Sequence, residues 1–357
     1  MSGEAAAGRG APNAPVFLRE LWYFAALSSS LKPGDLRRQM LLGEPVLLGR
    51  MRNGEAFALR DICPHRGVPL SAGRVMPEST VECAYHGWRF RSDGVCSLIP
   101  SLVEGQDIDP SKIRVRGYPL REQDGLIWIY FSANDRGSES PKSEPPRVDV
   151  PKAKPRWVES QTFHCGIDDA VIGLMDPAHA PYVHGRWWWK KKPRLKEKAY
   201  APLPTGFVMT RHRPSKPAYK LLGGDVTTEI TFELPGIRFE NIAGTLMGRR
   251  IDVVGFTACT PIDELTTEVT QVFYWPAWLS FLKPFFSVLG PIFLADDRKM
   301  AELQREGLKF NPSLLLIQDS DVPAMWYHRL KKAWSESLAS GTPFTNPIQP
   351  RTLRWRS

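Results

Sequence analysis

Cysteine is scarce in this chain: five in 357 residues, with no framework spacing among Cys96, Cys165 and Cys259. That scarcity excludes a disulfide-stapled secreted domain and points to a reducing compartment, the cytoplasm. Histidine numbers only seven, so each one in a patterned position carries weight. No apolar run reaches the roughly 20 residues of a spanning helix. The longest, Trp278 to Leu294, stops short and holds Lys283, Pro284, Gly290 and Pro291. Membrane spanning is therefore not expected, and contact with a membrane surface is the lesser expectation. The chain has no fingerprint for a nicotinamide or flavin nucleotide, no nucleic-acid motif and no internal repeat. Met1 to Pro15 is rich in Gly, Ala and Pro without an apolar segment, so it reads as a disordered tail and not a signal peptide.

What is present bounds the class. Hydrophobic residues make up 42% of the chain, enough for a substantial core. The length suits two domains of about 100–200 residues each. Lys and Arg total 47 against 38 Asp and Glu, a net charge of +9. With no nucleic-acid motif to use that charge, it favours an acidic protein donor, or is scattered over an ordinary surface.

Two short loops carry the strongest chemical signal: Cys63-Pro64-His65 and Cys83-Ala84-Tyr85-His86, with seventeen residues between His65 and Cys83. Each offers one thiolate and one imidazole. That set suits two irons bridged by two sulfides, both Cys on one iron and both His on the other. Neutral imidazoles remove negative charge and raise the reduction potential above that of an all-Cys cluster. Tetrahedral zinc also takes two Cys and two His. Zinc fingers, however, pair Cys with Cys and His with His, whereas each loop here mixes the two.

Through Gly67, Leu70, Gly73, Gly87, Trp88, Phe90, Asp93-Gly94 and Ile99-Pro100 the sequence resembles the Rieske iron–sulfur domain. About a hundred residues later stands Leu174-Met175-Asp176-Pro177-Ala178-His179, with His184 five residues beyond His179. Two His alone are weak. Downstream of a Rieske-like domain, Asp176-x2-His179-x4-His184 resembles the iron motif of the Rieske non-haem iron oxygenases. A non-haem Fe(II) that reacts with O2 needs two His and one carboxylate, leaving open positions. Asp297, within Asp296-Asp297-Arg298 at the start of a helical segment, is the expected third ligand. Asp296 is the alternative or an N-cap, and Asp263-Glu264 the outside candidate. The resemblance gives Asp176 the role of joining a cluster His, His86 of a neighbouring subunit, to His179. Gly173 stands where many relatives carry an Asn.

The family resemblance, closest to aryl-ether O-demethylase and vanillate-type monooxygenase α subunits, implies an α+β fold. A Rieske all-β domain over 16–135, after the tail 1–15, is followed by a linker over 136–155. A helix-grip-like catalytic domain with a curved antiparallel sheet occupies 156–341, and 342–357 is a tail. It further implies a [2Fe–2S] cluster on Cys63, His65, Cys83 and His86, and a mononuclear Fe(II) on His179, His184 and Asp297. A separate reductase or ferredoxin would bring NAD(P)H electrons, three copies would form a head-to-tail homotrimer, and O2 would be the co-substrate. The implied reaction is oxygen insertion into a hydrophobic, aromatic or polycyclic substrate, by hydroxylation or O-demethylation. Aromatic cis-dihydroxylation, a steroid- or lipid-directed monooxygenase, and a Rieske electron-transfer protein are the alternatives. Trp187-Trp188-Trp189 beside Lys190-Lys191-Lys192 could guide a donor or be an ordinary loop. The apolar run before Asp297 is expected to line the substrate pocket.

Overall fold

The computed structural model describes residues 16–134, 140–150, 154–185, 194–214, 225–246 and 248–357. The chain divides into two units, Arg19–Arg147 and Val148–Ser357 with the residues up to Leu18.

The smaller unit is built from three antiparallel sheets. Leu126–Phe131 is six apolar residues, all buried, and lies between Leu21–Leu27 and Leu120–Gln123. A continuous apolar run is what a strand covered on both faces requires. A second sheet joins Leu36–Leu41, Glu44–Arg50, Ala56–Arg60 and Gly117–Tyr118. A third joins four short strands from Arg74–Val75 to Cys96–Leu98. Leu47, Phe57, Leu70, Val81 and Phe90 close into one core with Cys63 and Cys83. Glu44 ties this unit together: it accepts from Tyr118 Oη at 2.7 Å and Arg116 at 2.9 Å, and pairs with Arg19 at 2.7 Å.

The stretch expected as a linker, 136–155, is not one throughout. Ser143 O accepts from Trp22 Nε1 at 2.7 Å, Pro145 and Pro146 carbonyls accept from Gln123, and Lys142 pairs with Glu20 at 2.9 Å. A Ser/Pro-rich composition hides this anchoring, because carbonyl acceptors exist in every sequence.

The larger unit holds an eight-stranded antiparallel sheet. Its order is Trp157–Phe163, Thr266–Tyr274, Arg249–Asp263, Ile237–Leu246, Thr227–Glu233, Gly206–His212, Leu195–Leu203 and Arg351–Arg356. Helices α1 (Ile167–Met175), α2 (Ala180–Val183), α3 (Lys283–Leu308) and α4 (Val322–Ser340) accompany it. α1 packs on the strands Arg249–Asp263 and Thr266–Tyr274 and on α3 and α4, and α3 packs on Trp157–Phe163.

Two expectations are corrected here. Residues 342–357 are not a tail: Arg351–Arg356 pairs with Leu195–Leu203, and Ile348, Leu353 and Trp355 are buried. The alternation of Leu353 and Trp355 with charged neighbours is the signature of a half-buried strand. The helix carrying Asp297 begins thirteen residues before Asp296, at Lys283, so Asp296 is mid-helix and not a cap. Pro284 is tolerated in the first turn. Pro291 sits inside the helix, where its carbonyl accepts from Gln161 Nε2 at 2.9 Å. Phe286 packs on Trp157, Phe273 and Trp275, and this burial outweighs the proline.

Candidate metal centres

The two loops of the smaller unit have the same backbone design. Gly67 N–H donates to Cys63 O at 2.9 Å, and Cys63 N–H donates to Val68 O at 2.9 Å. Gly87 N–H donates to Cys83 O at 3.1 Å, and Cys83 N–H donates to Trp88 O at 2.8 Å. Gly67 and Gly87 sit at φ +73° and +68°, where a Cβ is strained. The repeated turn puts both thiols inside the core, while His65 is exposed and His86 half-buried. The two imidazoles lie together, ring centroids 4.6 Å apart. His65 stacks on Trp88 at 4.7 Å with 6° between planes.

Burial pushes the Cys63 thiol up to about 11, with Cys83 as its neighbour. A buried thiol pair of this kind fits metal, which holds thiolate against desolvation. The buried Trp88 Nε1 has no acceptor in the protein, a donor that suits a sulfur acceptor at the same place. One zinc would require its four ligand atoms about 3.3–3.8 Å from one another. Among the described residues only His179, His184 and Asp297 form a group of three or more whose ligand atoms all lie within 4.8 Å. The Cys/His loops bring two buried thiols and two neighbouring imidazoles together, a donor set that fits a cluster with thiolates on one iron and imidazoles on the other.

The second centre grows from a broken helix. Asp168 and Asp169 favour the N-terminal turn of α1, and Pro177 stops the helix after Asp176. Asp176 Oδ1 accepts from Ala178 N–H at 2.7 Å, a local turn that reverses the chain toward His179. His179 then caps α2, with Pro181 in its first turn, and His184 closes it. The two imidazoles end 5.4 Å apart, centroid to centroid.

α3 supplies the carboxylate. Asp297 Oδ1 lies 3.2 Å from His184 Nε2 and 3.6 Å from His179 Nε2. Asp296, about 100° around the helix, puts its Oδ2 3.6 Å from the opposite nitrogen, His184 Nδ1. The expected ambiguity between the adjacent acids thus becomes a geometric difference: one faces both Nε2 atoms, the other faces the far side of one ring. His179 Nδ1 is 2.7 Å from Asp176 O, and as donor it leaves Nε2 with its lone pair. Burial holds the His179 imidazole below its ordinary range, against the pull of Asp297 and Asp176. Burial raises the Asp176 carboxyl, aided by Asp321. His184 is buried, its Nδ1 has no hydrogen-bond partner, and Phe293 packs on its ring at 4.7 Å. Two imidazoles presenting Nε2 and one carboxylate converge on one point, a donor set that fits a divalent ion such as Fe(II).

Asp263 and Glu264 lie in the hairpin turn between Arg249–Asp263 and Thr266–Tyr274, outside this group. Gly173 is exposed, and a Cβ there would meet nothing within 4 Å. The Trp187–Lys192 motif lies outside the described residues. Sequence reasoning missed two neighbours of the centre. Trp355 Nε1 donates to Pro177 O at 3.1 Å, and Ser357 Oγ donates to the same carbonyl at 3.2 Å. No local signal marks a contact 178 residues away. Phe293 was legible only as part of an apolar run.

Residues 21–119 match the Rieske [2Fe-2S] domain family. The chain is 38% identical over 185 residues to the 3-chlorobenzoate-3,4-dioxygenase oxygenase subunit of Comamonas testosteroni, covering 50% of this chain and 40% of that protein. It is 37% identical over 172 residues to the dicamba O-demethylase oxygenase component of Stenotrophomonas maltophilia, covering 47% and 48%. It is 41% identical over 164 residues to the 4beta-methylsterol monooxygenase of Methylococcus capsulatus, covering 46% and 44%. The matches span less than half the length of these curated relatives. In fold, the chain superposes on dicamba monooxygenase bound to dicamba with a TM-score of 0.69 at 24% identity, over 91% of this chain and 99% of that one. Pseudomonas putida CBB5 NdmA QL mutant with theobromine gives 0.71 at 20% identity, over 92% and 95%.

Proposed function

We propose that this chain, a Rieske oxygenase α subunit by its iron–sulfur domain and its fold, is the terminal oxygenase of a multicomponent system. Its cofactors are a Rieske [2Fe–2S] cluster and a mononuclear iron. We assign the cluster to Cys63, His65, Cys83 and His86, and the iron to His179, His184 and Asp297. One observation carries the reading: a second donor set of two His and one carboxylate lies in the unit beyond the Rieske domain. A pure electron-transfer protein has no use for it.

The cluster supplies single electrons and the iron supplies redox chemistry toward O2. The residues of the chain do the rest. His65 is exposed and His86 half-buried, so a cluster held on them would have its imidazole side within reach of a reductase or ferredoxin. Asp176 O fixes the tautomer of His179, and Asp296 Oδ2 sets a negative charge 3.6 Å from His184 Nδ1, on the side of the ring away from Asp297. Phe293 and the burial of His184 keep water away from that side of the site. In a homotrimer, Asp176 is the residue we assign to join His179 to His86 of the partner subunit.

The substrate class is hydrophobic. O-demethylation or hydroxylation of an aromatic or polycyclic compound is the first reading, in line with the names of the dicamba and methylsterol relatives. Aromatic cis-dihydroxylation is the alternative, in line with the chlorobenzoate relative. The test supplies iron-loaded protein with a surrogate reductase, NADH and labelled dioxygen across aryl ethers, polycyclic aromatics and sterols. One labelled atom, or formaldehyde released, supports monooxygenation. Two in a cis-diol support dioxygenation. Electron uptake with no labelled product from any class counts against the reading.

A further inference from the structure

The first half of α3 and the turn before it are apolar on both faces, and only one face is used. Trp278, Leu279, Leu282 and Phe286 turn inward onto Trp157, Ile251, Val253 and Trp275. Phe281, Phe285 and Val288, at i, i+4 and i+7, turn outward, 66%, 56% and 63% exposed, with Pro284 exposed between them. Ala277–Leu308 is long and apolar enough by composition to cross a membrane, yet only 11% of its most apolar window is buried in the protein. A helix that is apolar all round belongs in a core or against lipid. Contiguous exposed apolar surface of this kind marks an interaction site.

We propose that this face docks on the surface of an anionic lipid bilayer. The inner face is committed to the sheet, so the helix can lie along a membrane but not span one. From Val269 to Ala295 the sequence contains no Asp or Glu, and its one cation is Lys283, exposed between Phe281 and Phe285. At the edge of the same segment the Arg249 guanidinium lies 5.9 Å over the Trp278 ring. Aromatic and aliphatic side chains with a lysine that can snorkel are the composition of an interfacial helix. A two-fold pairing of this face fits less well, because it would set Lys283 near Lys283 with no acid on the segment, within a chain of net charge +9; a head-to-tail contact with another patch of a second copy is the outcome that the mass measurement below separates. On the reading above, docking would also put a lipid-dissolved substrate about 18 Å along the helix from Asp297, at 1.5 Å per residue from Phe285.

The experiment is flotation of the purified holoprotein with phosphatidylcholine vesicles, with and without phosphatidylglycerol, followed beside its mass by light scattering. The expected result is flotation with the anionic vesicles, weakened by salt. A triple variant Phe281→Ser, Phe285→Ser, Val288→Ser should bind at least ~10-fold more weakly, with its cluster absorbance and oligomeric state unchanged. Lys283→Glu should lose the preference for anionic lipid. Holoprotein that stays out of the vesicle fraction overturns the proposal. So does a triple variant whose mass falls, because the face would then join copies of the chain. None of these readouts depends on turnover, so failure here leaves the oxygenase reading standing.

Discussion

The indole N–H of Trp355 donates to the carbonyl of Pro177 at 3.1 Å, tying the strand Arg351–Arg356 to the turn between Asp176 and His179. Ser357 Oγ reaches the same oxygen. Trp355 is buried, so Trp355→Phe keeps the packing and removes one donor from a turn that positions an assigned ligand. The expected cost is about 0.5–1.5 kcal/mol of stability. The mononuclear iron should show a broadened spectrum of its nitric oxide adduct, while the cluster spectrum stays as in the parent. A sharp, parental iron signal would mean that the turn is held without Trp355.

Asp297 and Asp296 are adjacent but should not be equivalent. Asp297→Asn replaces the oxygen that faces both Nε2 atoms, and the protein should lose one iron per chain with its cluster intact. Asp296→Asn keeps an acceptor opposite His184 Nδ1, so iron should stay bound with affinity reduced by no more than about 10–100-fold. Metal analysis of the two proteins, purified side by side, checks this. Equal iron loss in both would put the assignment back to an open choice.

Asp176 is expected to matter for electron flow and not for metal content. Asp176→Asn preserves the backbone carbonyl that holds His179 and an acceptor for Ala178 N–H. The variant should retain both metal centres, reduce its cluster normally, and fail to couple that reduction to product. Stopped-flow reoxidation of the reduced cluster by O2 with substrate present is the readout. Reoxidation at the parental rate would remove Asp176 from the electron route.

Acid should weaken the iron–sulfur unit through Glu44. Burial alone would push this carboxyl up, but hydrogen bonds from Tyr118 and Arg19 and the charge of Arg116 hold it below its ordinary value of 4.5. A carboxyl held low in the folded state stabilises fully above that ordinary value. The contribution is lost as pH falls through the lower, folded value. Glu44→Gln should cost roughly 1–3 kcal/mol near neutrality and flatten the acid limb of stability. Urea melts followed by cluster absorbance at several pH values test it; parallel acid limbs for parent and variant would contradict the role.

Much of this molecule was legible in its sequence, because metal chemistry compresses into short spacings. The glycine four residues after Cys63 and after Cys83 announces the turn, and Asp176-Pro177 announces a broken helix. Strands such as Leu126–Phe131 and Thr266–Tyr274 follow from apolar runs and alternation. The misses share a cause. Pro284, Gly290 and Pro291 argue locally against a helix from Lys283, and tertiary packing of Phe286 overrides them. The last strand and the anchoring of Ser143, Pro145 and Pro146 depend on partners more than a hundred residues away, or on carbonyls that every residue owns. The outward face of Phe281, Phe285 and Val288 was legible as apolar, but not as exposed.

Two kinds of iron in one chain can be measured without knowing the substrate. Mössbauer spectra of the 57Fe-enriched protein, oxidised and then reduced, should show a two-iron cluster whose reducing electron localises on the His-bound iron. They should also show a separate high-spin Fe(II) that disappears in His184→Ala while the cluster remains. A single iron species, or an Fe(II) signal indifferent to His184, would contradict the account.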